Sequence, residues 1–132
     1  MHSIIISNPV WGKTNCDIFC NYSLKSLLFK KNIPLLLKKK FKITLHILTK
    51  KEDLEFFRKN SFFKKIPKSV NINFFFFNDK FITFGKYSKV TKLQNISIKE
   101  SVYHDYLIFN YADFIWSDGS LSNAVKSIIN KK

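Results

Sequence analysis

The sequence predicts an α/β fold in which a mostly parallel sheet of about four strands is covered by helices on both faces. Three observations lead there. Runs rich in β-branched or aromatic residues recur at 3–7, 42–49, 70–78 and 105–110. Segments with helical spacing of apolar residues stand between them, so strand and helix alternate along the chain. The third run ends in four successive phenylalanines, the pattern of a strand covered on both sides rather than one.

Each element has its own local reason. "SIIIS" at 3–7 is a short β-branched run suited to a buried strand, and "NPVWGKTN" after it is punctuated by Pro9 and Gly12 as a loop. Cys16, Cys20, Leu24, Leu27 and Leu28 then form one helical stripe over 16–29, with a cap expected near Thr14 or Asn15. Pro34 reads as an interruption before the next strand. "KITLHILT" at 42–49 places Ile43, Leu45 and Ile47 on one face and Thr44, His46 and Leu48 on the other, with His46 read as a satisfied structural histidine. Thr49 and Glu52 have the spacing of a capping box opening a helix that turns Leu54 and Phe57 inward. A loop carrying Gly85 leads to a helix within 87–104, "DYLIFN" forms the fourth strand, and Leu121, Val125 and Ile128 or Ile129 mark a final helix.

The 132 residues suffice for one domain with a modest core, and 45% hydrophobic and 17% aromatic residues argue against disorder. No apolar run approaches the roughly 20 residues that cross a bilayer. The start lacks the basic, then long apolar, pattern of a secretory signal, so a cytoplasmic protein is expected. The two cysteines read as free buried thiols, and the scattered histidines His2, His46 and His104 complete no zinc-ligand set. The net charge of +14 invites an anionic partner. Only Arg58 is arginine, however, which disfavours the bidentate contacts that read nucleic acid. Lysine, phenylalanine, isoleucine and asparagine also share AT-rich codons, which supply such charge without a selected partner.

Ligands of open α/β sheets gather beyond the carboxyl ends of the strands. Pro9, Val10, Trp11 and Gly12 leave the first strand there, Thr49 leaves the second, and Asp113 and Asp118 follow the fourth. No glycine-rich phosphate cradle of the dinucleotide or P-loop kind occurs. Trp11 is suited either to stacking against a base or to plugging the core. A carboxylate past a strand end suits Mg2+ or Mn2+. Asp113 and Asp118 lie on opposite faces of a strand, or about 140° apart on a helix, so both reach one ion only if "SDG" turns the chain. The competing reading is that Ser117 or Asp118 caps the last helix.

"NPVWG", "ILTKKED" and "LIFNYADFIWSDGSL" together resemble the N-terminal portion of a bacterial group of glycosyltransferase-like proteins in the nucleotide-diphospho-sugar transferase superfamily, whose fold is the Rossmann-like GT-A type. Asp113, Ser117, Asp118, Gly119 and Leu121 match that group's last motif, and Ala112 replaces its proline. The resemblance implies a nucleotide-diphosphate sugar near Pro9–Gly12 and Thr49, with Asp113 or Asp118 at the diphosphate and its Mg2+ or Mn2+. It implies too that 1–132 is the donor-binding half of such a fold, truncated before the acceptor half. The superfamily's usual metal motif, Asp-x-Asp, is spaced more tightly than this pair. The alternative expectation is a basic module for an anionic membrane surface or nucleic acid, built on "KKKFK" at 38–42 beside "IPLLL", with Lys64, Lys65 and Lys68.

Overall fold

The computed structural model describes residues 2–78 and 86–131. The expected loop at Gly85 lies outside the described residues. Four strands, β1 (Ser3–Pro9), β2 (Lys42–Thr49), β3 (Asn71–Phe76) and β4 (Tyr106–Phe109), form one sheet. Its order is β3-β2-β1-β4, and all three pairings are parallel. Parallel neighbours need crossovers, and crossovers are right-handed. The steps β1 to β2 to β3 run one way across the sheet and leave their helices on one face. The step from β3 back past β1 to β4 reverses direction and places its helix on the other. A three-layer α/β architecture of the Rossmann-like type follows.

The first face carries the larger core. After β1 come α1 (Lys13–Ile18), a π-helical turn at Phe19–Leu24, and α2 (Lys25–Leu27). Of the expected stripe, Cys16, Cys20, Leu24 and Leu27 are fully buried against Ile4, Ile6, Ile43, Leu45 and Ile47, Leu28 is half-buried, and Phe19 joins them. The helical stretch starts after Gly12 rather than at a Thr14 or Asn15 cap. Pro34 begins structure instead of interrupting it: it sits in the first turn of α3 (Ile33–Lys38), where its missing N–H has no helical partner to lose. The Thr49–Glu52 capping box is not formed, because Thr49 is a fully buried strand residue and Lys50 precedes a 3-10 turn at Lys51–Asp53. Beyond that turn, α4 (Leu54–Lys59) and α5 (Ser61–Lys64) are separated by Asn60. Its Oδ1 accepts from the amides of Phe62 at 2.9 Å and Phe63 at 3.1 Å, so one extended residue ends the first helix and caps the second.

Phe57 is the centre of this face. Its ring meets those of Phe19, Phe56, Phe63 and Phe74 at centroid distances of 6.3, 6.2, 5.6 and 5.8 Å, within the range of favourable aromatic pairs. The expectation of a doubly covered third strand is met only in part. Among the described residues β3 is an edge strand on which Phe74 and Phe75 are half-buried while Phe76 remains 46% exposed. Phe74 turns to the Phe57 cluster while Phe75 and Phe77 turn to the opposite face, so the phenylalanine run is divided between two layers.

The second face is covered by α6 (Lys86–Glu100), matching the helix expected within 87–104. Leu93 packs with Leu48 and Phe77. Beneath α6 the sheet is polar: Ser97 Oγ lies 2.7 Å from Ser7 Oγ and 3.0 Å from Nδ1 of His46, all three residues being buried. His46 is thus the satisfied structural histidine its position suggests. The last helix, α7 (Ser120–Asn130), returns to the first face and packs on α3. No helix among the described residues is long and apolar enough to cross a membrane.

Two outcomes follow from this core. Phe57→Ala removes the shared ring of four aromatic contacts and is expected to cost about 3–5 kcal/mol in urea unfolding; a loss below about 1 kcal/mol would contradict its central place. Burial pushes the His46 imidazole below its ordinary pKa of 6.5, Glu100 pulling it up and His104 further down. The unfolded chain therefore takes up a proton that the folded one refuses. The His46 contribution to stability should be level above about pH 6.5 and fall as the pH drops below it, and His46→Gln should flatten that fall. An unaltered pH profile in the variant would assign the effect elsewhere.

Candidate functional site at the switch point of the sheet

β1 is paired with β2 on one side and β4 on the other; the chain leaves β1 into α1 on the first face, while α6 on the second face leads into β4. Between these two helices a crevice opens at the carboxyl ends of the strands, the usual ligand position in such sheets. A cavity of about 560 Å3 occupies it. Its walls come from both exits, Pro9 and Trp11 from β1 and Tyr111, Ala112 and Asp113 from β4, closed by Asn15 and Ile18 of α1 and by Val90, Thr91 and Gln94 of α6.

The two exits are tied together by buried amides. Asn8 Nδ2 donates to the carbonyls of Ile6 (2.9 Å) and His46 (3.0 Å), and Asn8 Oδ1 accepts from Asn110 Nδ2 at 2.8 Å. Asn110 Nδ2 also donates to Ser23 Oγ at 2.9 Å, and Asn110 Oδ1 accepts from Trp116 Nε1 at 3.0 Å. Asn8, Asn110 and Ser23 are fully buried, where an unmet polar group costs about 1–3 kcal/mol. The backbone continues the link, with Asn110 N donating to the Ser7 carbonyl at 2.9 Å and Trp116 N to Ser26 Oγ at 2.9 Å. Trp116 therefore anchors the β4 exit, while Trp11 stands half-buried at the cavity with an edge-on contact to Phe77 at 5.4 Å.

Gly12 shapes the other wall. Its φ of 83° lies in the region that glycine tolerates without strain. Its amide donates to Asp53 Oδ2 at 2.9 Å, so a carboxylate of the chain itself already occupies the donor that opens α1. Asp53 was not apparent from the sequence, where it stands 41 residues away. Cys16 lies behind this turn, its thiol pushed up to about 12 by burial and then by the Asp53 charge, with a smaller opposing pull from the Thr49 hydroxyl. Cys20 is also pushed up to about 12, chiefly by burial. Both are free thiols held in the unreactive protonated form. Thr49 and Val10 are buried and do not line the cavity; Thr49 faces Cys16, and its Oγ1 makes no hydrogen bond of ordinary geometry.

The two aspartates of the last motif part company. Asp113 lines the cavity and is exposed to solvent. Asp118 does not line it; its Oδ1 accepts from the Lys31 amide at 2.8 Å. Neither Ser117 nor Asp118 caps α7. The cap comes from Asn32, whose Oδ1 accepts from the amides of Gly119 (3.0 Å) and Leu121 (3.1 Å) while its Nδ2 donates to the carbonyls of Ser26 and Ser117. The "SDG" turn, with Gly119 at φ 95°, is thus clamped onto the loop between α2 and α3. Among the described residues no group of three or more His, Cys, Asp or Glu side chains is placed to hold a metal.

Chemically, the described lining of the cavity offers two aromatic side chains, two amides and one carboxylate, and among the described residues none that line it is cationic. Gln94 Nε2 donates to the Tyr111 hydroxyl at 3.0 Å and Asn15 Nδ2 to the Trp11 carbonyl at 3.2 Å, which fixes the amides with their oxygens available as acceptors. Such a lining suits a flat ring and hydroxyls. Comparison with known proteins finds no matching family model, curated protein or solved structure. Asn110→Ala should cost about 2–3 kcal/mol, because it leaves the Asn8 carbonyl oxygen, the Ser23 hydroxyl and the Trp116 indole short of their partner. Chemical denaturation measures this, and a loss under about 0.5 kcal/mol would mean that the amides do not tie the exits.

Proposed function

We propose that the chain binds a nucleotide-diphosphate sugar in the cavity between the exits of β1 and β4, as the donor-binding half of a glycosyltransferase-like fold. The observation that carries this reading is the position and chemistry of that cavity. It lies at the switch point of a parallel sheet, with Trp11 and Tyr111 to face a base and Asn15, Gln94 and Asp113 to meet ribose or sugar hydroxyls. The sequence resemblance in the Pro9–Gly12 and Asp113–Leu121 segments supports the same choice of ligand.

Among the described residues the diphosphate finds no lining cation, and the Gly12 amide is taken by Asp53. A divalent cation, Mg2+ or Mn2+, accompanying the diphosphate would offset its charge and find one protein oxygen ligand in Asp113, the remainder coming from phosphate and water. Asp118 would act indirectly, by holding the turn that follows. Transfer itself calls for an acceptor and a base, and no residue of the cavity is assigned to that step.

Titration of uridine, guanosine, cytidine, adenosine and thymidine diphosphate sugars, each with and without Mn2+, tests the reading through tryptophan fluorescence and melting temperature. One of them should quench fluorescence and raise the melting temperature. Trp11→Ala should weaken binding at least about tenfold, the scale of one lost aromatic stacking contact of about 1–3 kcal/mol. Asp113→Asn should remove the response to Mn2+ while leaving binding of the nucleoside part. No response to any of these ligands at millimolar concentration would overturn the proposal.

A further inference from the structure

A second concave surface is built where α2 and the start of α3 meet α5 and the chain just after it. It is a groove of about 280 Å3 with a floor of Leu28, Phe29, Pro34 and Pro67 and a rim made by Lys25, Lys65 and Phe62. Both lysine ammonium groups sit over the Phe62 ring, at 5.5 Å and 5.3 Å from its centroid. The ring meets two like charges, each attracted to its π electrons. Phe29 in the floor is 36% exposed.

The charge around the groove has one sign. The two segments that build it, 24–34 and 61–70, contain six lysines and no aspartate or glutamate. Lys25, Lys30, Lys31, Lys64, Lys65 and Lys68 are all exposed. Asp118 touches this region through the Lys31 backbone amide. A surface with clustered ammonium groups over an accessible apolar floor is complementary to a partner that is anionic outside and apolar just beneath.

We propose that this groove is a docking surface for an anionic lipid membrane, with the lysines at the headgroup phosphates and carboxylates and Phe29 reaching the acyl boundary. Lysine point charges suit diffuse headgroup attraction, each worth a modest and salt-sensitive increment near the surface. Nucleic acid fits less well. The Phe62 ring that would stack on a base is already engaged by Lys25 and Lys65, and the single arginine, Arg58, is paired with Glu55 at 3.2 Å. The proposal is independent of what the switch-point cavity binds, since Lys25, Phe29 and Lys65 do not line it.

Co-sedimentation with vesicles tests it. The protein should pellet with phosphatidylcholine vesicles carrying phosphatidylserine, not with phosphatidylcholine alone, and should be released as salt rises. The double variant Lys25→Gln, Lys65→Gln should bind roughly thirtyfold more weakly, from the usual contribution of each lysine near an anionic surface. The equal charge change Lys51→Gln, Lys99→Gln, at exposed sites outside the groove, should alter binding less than about threefold. Phe29→Ser should weaken it at constant charge, and the melting temperature of every variant should stay near that of the parent. Absence of pelleting at low salt, equal losses in the two double variants, or binding of a single-stranded oligonucleotide with no binding of vesicles would each overturn the proposal.

Discussion

The amide pair Asn8–Asn110 is the contact on which the candidate site depends. Each side chain carries both donors and acceptors, and each is fully buried, so neither is tolerated in the core without partners. Together they satisfy each other at 2.8 Å, two β-strand carbonyls, the Ser23 hydroxyl and the Trp116 indole. An apolar pair at these positions would bury as well but would not fix the relative height of the two strand exits. The hydrogen bonds do, because they act over a narrow range of distance and angle. The cavity exists at the place where the exits part, and its walls are carried by the residues immediately after this pair.

Two layers of different character lie beneath it. The face under α1, α4 and α5 is apolar and aromatic, centred on Phe57, and supplies most of the burial that stabilises the fold. The face under α6 is thinner and contains the Ser7–Ser97–His46 chain. Two walls of the cavity therefore differ in support: α1 rests on the large core, whereas α6 is seated on a small cluster and a polar chain. Asp53 reinforces the first wall by holding Gly12 in its left-handed conformation. Among the described residues the cavity lining is neutral apart from the carboxylate of Asp113.

How much of this was legible in the sequence depends on the range of the interaction. Elements set by local patterning were readable: the β-branched run of β1, the alternation of β2, the Cys16–Leu27 stripe, and the placement of α6 and α7. Strand order was not, because it is decided by the direction of successive crossovers, so the edge position of β3, which leaves Phe76 46% exposed, does not show in its run of phenylalanines. Caps supplied from a distance were also hidden. Asn32 lies 87 residues from the Gly119 amide it accepts from, and no spacing rule points from one to the other. Of the site residues read from the sequence, Pro9, Trp11 and Asp113 line the cavity. Val10 and Thr49 are buried, Gly12 shapes a wall, and Asp118 holds the α2–α3 loop. A legible sign did exist for the amides, since Asn8 and Asn110 each directly follow or end an apolar strand run, where an unpaired asparagine would be costly.

The two tryptophans give a direct way to examine the central claim, that a buried amide bridge builds a cleft whose exposed aromatic side meets the ligand. The measurement is a pair of indole N–H resonances, assigned by single substitution, followed during hydrogen exchange and during titration with the nucleotide sugar that binds. The account predicts that the Trp116 signal, donated to Asn110, exchanges slowly and stays nearly fixed, while the Trp11 signal exchanges readily and moves on binding. Rapid exchange at Trp116, or a ligand response at Trp116 with none at Trp11, would contradict it.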